Sequence, residues 1–257
     1  MCGSLRKRSS RSERGVIMKN AILEIKNFSK AYGEGKKAAD NISLTVESGD
    51  IYGFIGHNGA GKSTTIRAIV GVLDFTEGDI SIDGHSVKTD SFACKKITAY
   101  IPDNPDLYEN LTAIQYLNFI ADVFDISETE RQERIRKYAG RFEIMDSLGD
   151  LIGSYSHGMK QKLAIISALI HAPKLLVLDE PFVGLDPKAA FTLKQIMHEL
   201  CEQGTAIFFS THVLDVAEKL CNKVTIIKQG KIIASGTMEA LTQGKSLEDV
   251  FMEVINE

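Results

Sequence analysis

The run Gly56-His57-Asn58-Gly59-Ala60-Gly61-Lys62-Ser63-Thr64 constrains this chain more than any other. It fits G-x-x-x-x-G-K-[ST], and its flanks supply the context that pattern needs. Residues 50–55 read as a short strand feeding directly into the glycines, and residues 62–72 have helical character, ending near Gly71. Glycines let backbone N–H groups turn inward and approach anionic oxygens closely. The helix starting near Lys62 aims its positive end at the same point. The pattern therefore predicts a site for a nucleoside triphosphate with Mg²⁺. Lys62 is expected on the β- and γ-phosphates and the Ser63 hydroxyl on the metal.

The rest of the chain alternates strand-like and helix-like stretches. Residues 22–26 and 42–46 alternate apolar and polar, as half-buried strands do. Residues 78–82, followed by Asp83-Gly84, read as a hairpin element. From 106 to 151 strand signals vanish, and 113–124 and 128–141 carry helical periodicity. Residues 158–171 are a predicted helix with Ser156 as N-cap. Residues 175–178 are a continuous apolar run, the mark of a strand buried on both faces, and 205–210 read as another buried strand. Helices are expected at 189–201 and 214–220, and a hairpin over 223–228 and 231–235 around Gln229-Gly230. The tail 246–257 is amphipathic, with Leu247, Val250, Phe251 and Val254 on one side. The predicted class is α/β, a mostly parallel sheet covered on both faces, with an added antiparallel layer and a helical insertion.

Composition excludes several classes of function. At 257 residues and 44% hydrophobic, the chain can build a sizeable core as one large domain or two small ones. A net charge of −4 gives no reason to expect nucleic acid as a partner. Arg6, Lys7, Arg8, Arg11 and Arg14 face one acid, Glu13, in an N-terminal arm almost without apolar residues, which is expected to be disordered. It reads either as a membrane-surface or nucleic-acid contact or as an extension ahead of a native start at Met18. No apolar stretch follows it, so it is not expected to act as a signal peptide. Cys2, Cys94, Cys201 and Cys221 show no C-x-x-C spacing and no companion histidines, so reduced thiols are expected. The longest apolar run, 163–170, is too short to span a bilayer, and a soluble protein is expected.

The run 175–178 delivers Asp179 and Glu180 at its end, where open α/β sheets bind ligands. The expected division of labour puts Asp179 on Mg²⁺ through water and Glu180 on an attacking water. Guanine recognition by N-K-x-D finds no support, because Thr225 stands where the acid should follow Asn222-Lys223.

Between the loop and the acidic pair lies Tyr155-Ser156-His157-Gly158-Met159-Lys160-Gln161, with Ser156 placed 23 residues before Asp179. This resembles the L-S-G-G-Q signature of ATP-binding-cassette (ABC) ATPases. Ser156 and Gly158 match; Tyr155, His157 and Met159 replace the Leu, the first Gly and the Gln. Tyr32 stands where the family places an aromatic against adenine. Gly184-Leu185-Asp186-Pro187 looks like its D-loop, and His212 like its switch histidine. One position departs: the family's glutamine after the strand preceding the helical insertion is replaced by Asp103, followed by Asn104-Pro105. A carboxylate there can approach Mg²⁺ or water but offers no N–H.

The resemblance implies an ABC ATPase domain over residues 21–252, with a helical subdomain at about 104–160 and the basic arm at 1–20. It implies ATP and Mg²⁺ as ligands, with Tyr32, Asp186 and, across an interface, Ser156 and Gly158 completing the nucleotide site. Lys62, Glu180 and His212 are the implied catalytic set, and Ser63, Asp179 and Asp103 the metal set. The implied partners are a second ABC ATPase subunit, identical or related, packed head to tail, and a membrane-spanning permease on a separate chain at the cytoplasmic face. The signature, the 101–105 loop and the tail Leu247-Glu248-Asp249-Val250-Phe251 resemble stand-alone ATPases of bacterial exporters. The alternative is a non-transport ABC ATPase regulating a soluble or nucleic-acid-linked partner.

Overall fold

A computed structural model describes residues 20–33 and 37–256. The expected disorder of the basic arm, and Cys2 with it, lie outside the described residues.

Two sheets form. Strands β1 (Ala21–Ala31), β2 (Lys37–Glu47), β4 (Glu77–Ile82) and β5 (His85–Ser86) make an antiparallel sheet in the order β2-β1-β4-β5. This is the antiparallel layer that the alternating stretches predict. Asp83 and Gly84 both take positive φ, the two-residue turn that closes a tight hairpin. The second sheet, with β3 (Ile51–Ile55), β6 (Thr98–Ile101), β7 (Leu175–Asp179), β8 (Ala206–Thr211), β9 (Lys223–Lys228) and β10 (Lys231–Thr237), has the order β10-β9-β3-β8-β7-β6. Every pairing in it is parallel except the β9–β10 hairpin, which turns at Gln229 and Gly230 with positive φ.

The pleat of the parallel sheet divides the interior in two. Ile51, Ile55, Leu176, Leu178, Ile207 and Phe209 point to one core, and Tyr52, Phe54, Leu175, Val177 and Phe208 to the other. The first core packs against helices α5 (His157–Leu169), α6 (Pro187–Glu202), α7 (Leu214–Leu220) and α9 (Leu247–Asn256). The second meets α1 (Lys62–Ile69) and the antiparallel sheet. Burial on both faces is why 175–178 reads as an unbroken apolar run and 205–210 as a buried strand.

Between β6 and β7 the chain is helical. α3 (Ala113–Val123) starts with a capping box between Thr112 and Gln115, and Ser127 caps α4 (Glu128–Arg141). Only an isolated bridge, Thr112 to Leu151, pairs backbone there. Two further helices join the order, α2 (Ser91–Ile97) before β6 and α8 (Met238–Thr242) before α9. α1 ends at Ile69, earlier than the expected 72, because the chain turns through Gly71 at positive φ. α5 starts one residue earlier than expected, at His157. Cys94, Cys201 and Cys221 are free thiols, and no described helix is long and apolar enough to cross a membrane.

The start of β3 is fixed by Asp50, which is fully buried. Burial opposes its charge, yet Lys223, Asn222 and the Glu47 N–H hold its carboxyl below the usual range. That ties the strand feeding the glycine loop to its neighbour β9.

His171 stacks flat on Phe124 at 3.8 Å, and burial pushes its imidazole down to about 4. Between that value and the ordinary one near 6.5, the unfolded chain takes a proton that the folded chain refuses. Stability is then full above about pH 6.5 and falls as pH drops towards 4, by up to about 1.4 kcal/mol per pH unit. Chemical denaturation of His171→Phe across this window should show a shallower acid loss than the wild type. Parallel curves would contradict the assignment.

Candidate functional site

The parallel strands point their C-terminal ends to one edge of the sheet, and four sequence-distant segments meet there. β3 delivers the glycine loop, β7 delivers Asp179 and Glu180, β8 leads to His212, and β6 leads to Asp103.

The loop has no room for side chains at two of its glycines. A Cβ on Gly56 would lie 2.5 Å from the Ile227 carbonyl oxygen. A Cβ on Gly61, whose φ is +108°, would overlap the carbonyl oxygen of Ala38. The loop is braced by Ala60 N–H to the His57 carbonyl at 3.1 Å and by Gly230 N–H to the Ala60 carbonyl at 2.8 Å. Gly61 is also the N-cap of α1, which has no side-chain cap and no acid in its first turn. The first amides of α1, and the positive end of its dipole, are thus left for an anion.

Lys62 is 6% exposed. Its Nζ donates to the carbonyls of Gly56 at 2.6 Å and His57 at 3.3 Å, and lies 3.7 Å from Glu180 Oε1. Burial lowers its pKa, and the charges of Glu180 and Asp179 pull the other way without overcoming it. Ser63 is exposed beside it.

The acidic pair is held with similar economy. Asp179 is 5% exposed and accepts a hydrogen bond from the Ser210 hydroxyl. Glu180 adopts φ +49°, a conformation uncommon outside glycine and found at strained functional positions. Its N–H reaches the Ser210 carbonyl at 3.2 Å, and its Oε1 sits 2.8 Å from His212 Nδ1. The Glu180 carboxylate therefore bridges Lys62 and His212.

Asn58, Gly59, Gly61, Lys62, Ser63, Thr64, Asp103, Asp179 and Glu180, with Ala38, line one cleft of about 360 Å³, a volume suited to a small ligand. A groove of about 820 Å³ at the opposite edge, around Asp83, Arg134 and Lys174, is larger but lacks any such convergence. Among the described residues no group of three or more His, Cys, Asp or Glu gathers as a metal cage. The oxygens of Ser63, Asp179 and Asp103 instead fit a hard cation that keeps most of its shell in water and phosphate.

The other candidates lie apart from this cleft. Tyr32 is 55% exposed with Lys30 Nζ over its ring at 5.8 Å, and it does not line the cleft. Ser156 caps α5 by accepting from Met159 N–H at 3.3 Å. A Cβ on Gly158 would lie 2.9 Å from the Gly184 carbonyl oxygen, and one on Gly184 would overlap the His157 ring. Asp186 caps α6 through Ala189 N–H at 2.8 Å and pairs with Lys162 at 2.8 Å, which holds its carboxyl low. Ser156, Gly158 and Asp186 thus form a second cluster on the same chain.

Sequence reasoning missed Ala38, whose carbonyl forbids a side chain at Gly61, and Ser210, which holds both acids. It also missed Phe251 of α9, whose ring meets His57 of the glycine loop at 5.1 Å. Phe251 was legible as a buried face of the tail, but nothing in the sequence pairs it with a loop almost two hundred residues away.

Comparison with known proteins agrees with this geometry. The sequence model of the family described as ABC transporter matches residues 39–183, more than half of the chain. The ABC-type transporter ATP-binding protein EcsA of Bacillus subtilis is 34% identical over 242 residues, covering 92% of this chain and 98% of EcsA. The bacitracin transport ATP-binding protein BcrA of Bacillus licheniformis is 36% identical, covering 83% of this chain and 69% of BcrA. A solved structure described as an ATP-binding subunit of an ABC transporter superposes with a TM-score of 0.88 at 35% identity, covering 91% of this chain and 99% of that one. With its glycine loop, its acidic strand end and its full-length relatives in agreement, the chain belongs to the ABC transporter family as one of its ATP-hydrolysing subunits.

Proposed function

We propose that Mg-ATP binds in the cleft from Asn58 to Glu180 and is hydrolysed there with the residues in the following roles. The observation carrying this reading is the meeting of Lys62, Asp179 and Glu180 within one cleft at the C-terminal edge of the sheet. The loop amides and the start of α1 cradle the phosphates, and Lys62 exchanges its carbonyl partners for β- and γ-oxygens. Ser63 and Asp179 would hold Mg²⁺, with Asp103 of the same cleft able to reach it or its water. A metal held there would supply charge neutralisation to the phosphate oxygens. Glu180 accepts the proton of the attacking water. His212 donates from Nδ1 to Glu180, and with its second nitrogen also protonated it donates from Nε2 to a γ-phosphate oxygen. Tyr32 offers an exposed ring to the adenine.

The second cluster completes the site of another subunit. Ser156 and Gly158 begin a helix of 13 residues with no acid in its first turn, yet they do not line the cleft of their own chain. Packed head to tail, two subunits place each α5 N-terminus against the other's γ-phosphate, making ATP an interfacial ligand. Asp186, in the same cluster, faces the same interface. The partner subunit is a second copy or a related ATPase.

The transported cargo crosses through a separate permease, with this subunit at the cytoplasmic face of the membrane. Export is the favoured direction. The signature Tyr-Ser-His-Gly-Met and the tail around Phe251, which resemble those of stand-alone exporter ATPases, support it.

Two variants check these roles. Lys62→Ala should lower Mg-ATP turnover by about a hundredfold or more; a steady-state ATPase assay at the wild-type level would refute the site. Glu180→Gln should bind Mg-ATP, turn over little and sediment as a dimer. Sedimentation as a monomer at saturating Mg-ATP would count against the composite site.

A further inference from the structure

We propose that the C-terminal helix α9 is a positioning element of the phosphate loop, acting through the contact of Phe251 with His57. This rests on the reading of the loop as the nucleotide site.

The loop's outer side is lined by the C-terminal quarter of the chain. Ile227 of β9 stands against Gly56, and Gly230 of the following turn donates to Ala60. Between them in sequence, Lys228 donates from Nζ to the Ile255 carbonyl near the end of α9. The same short hairpin therefore touches the loop at two points and grips the helix. α9 is itself pinned at both ends: Glu218 Oε2 accepts from Leu247 N–H at 2.9 Å, and Leu247, Val250 and Phe251 are buried in the core.

From that anchored helix Phe251 meets the His57 ring edge-on, with centroids 5.1 Å apart and planes at 67°. His57 is exposed, so the core does not depend on it. It sits at the second loop position, and its carbonyl accepts from both Ala60 N–H and Lys62 Nζ. A peptide plane that serves an amide donor and the phosphate-binding lysine is sensitive to where its side chain rests. Without the Phe251 ring, His57 gains freedom that must be lost again when phosphate binds. The consequence falls on nucleotide affinity, because neither ring lies among the residues around Glu180 that carry the chemistry.

An edge-on aromatic pair of this kind implies a change of about three- to tenfold. The test measures KM for Mg-ATP and kcat in Phe251→Leu, His57→Ala and the double variant, with thermal unfolding alongside. Phe251→Leu keeps the buried apolar side chain while removing the ring, and His57→Ala leaves the core intact. Each single variant should raise KM about three- to tenfold with kcat within about twofold. The double variant should be no worse than the more impaired single, because both remove one contact. An unchanged KM in Phe251→Leu, or a double-variant effect equal to the product of the singles, would overturn the proposal. Lys62→Ala in the same assay separates the failures. Loss of turnover there with unchanged KM in Phe251→Leu sinks only the role of α9, whereas full activity of Lys62→Ala sinks the site.

Discussion

A lysine ammonium removed from water must be met by oxygens, and the architecture around Lys62 depends on meeting it. Burial disfavours its charge, and two loop carbonyls with the carboxylates of Glu180 and Asp179 partly compensate. Such an arrangement is costly unless something stronger arrives. A polyphosphate supplies more charge at closer range and frees the loop carbonyls. The cleft is best read as a site whose own partners are provisional.

Holding those partners falls to the parallel sheet. β3, β8, β7 and β6 run side by side in one direction, so the loop, His212, the acidic pair and Asp103 emerge at a common edge. Each strand is locked from both faces by side chains that alternate between two cores, and a slip of one residue would exchange the two sets. Precision at the edge is therefore inherited from the core. Ser210 shows the link at short range: as a fully buried strand residue it reaches Asp179 with its hydroxyl and Glu180 with its carbonyl.

What the sequence made legible follows from the range of the chemistry. The glycine loop could be read because its demands are local: small residues for close approach, a lysine at the helix start, a strand before and a helix after. Run 175–178 and the apolar centre 206–209 could be read because burial on two faces leaves no polar residue behind. α2 could not, since in seven residues it buries only Cys94 and has no face long enough to show a period. Ala38, Ser210 and Phe251 were invisible as site residues because each acts through a tertiary contact. The separation of Ser156 and Gly158 from the cleft was legible only through the family resemblance.

That separation is the centre of the proposal, in which one chain carries half of each nucleotide site. Mixing two inactive variants tests it most directly. Lys62→Ala disables the phosphate loop. Ser156→Asp keeps α5 capped while placing a carboxylate against the γ-phosphate. If sites are shared between chains, the mixed dimer contains one site with an intact loop and an intact signature, and mixing should restore ATPase activity that neither variant has alone. A mixture as inactive as its components would contradict the account.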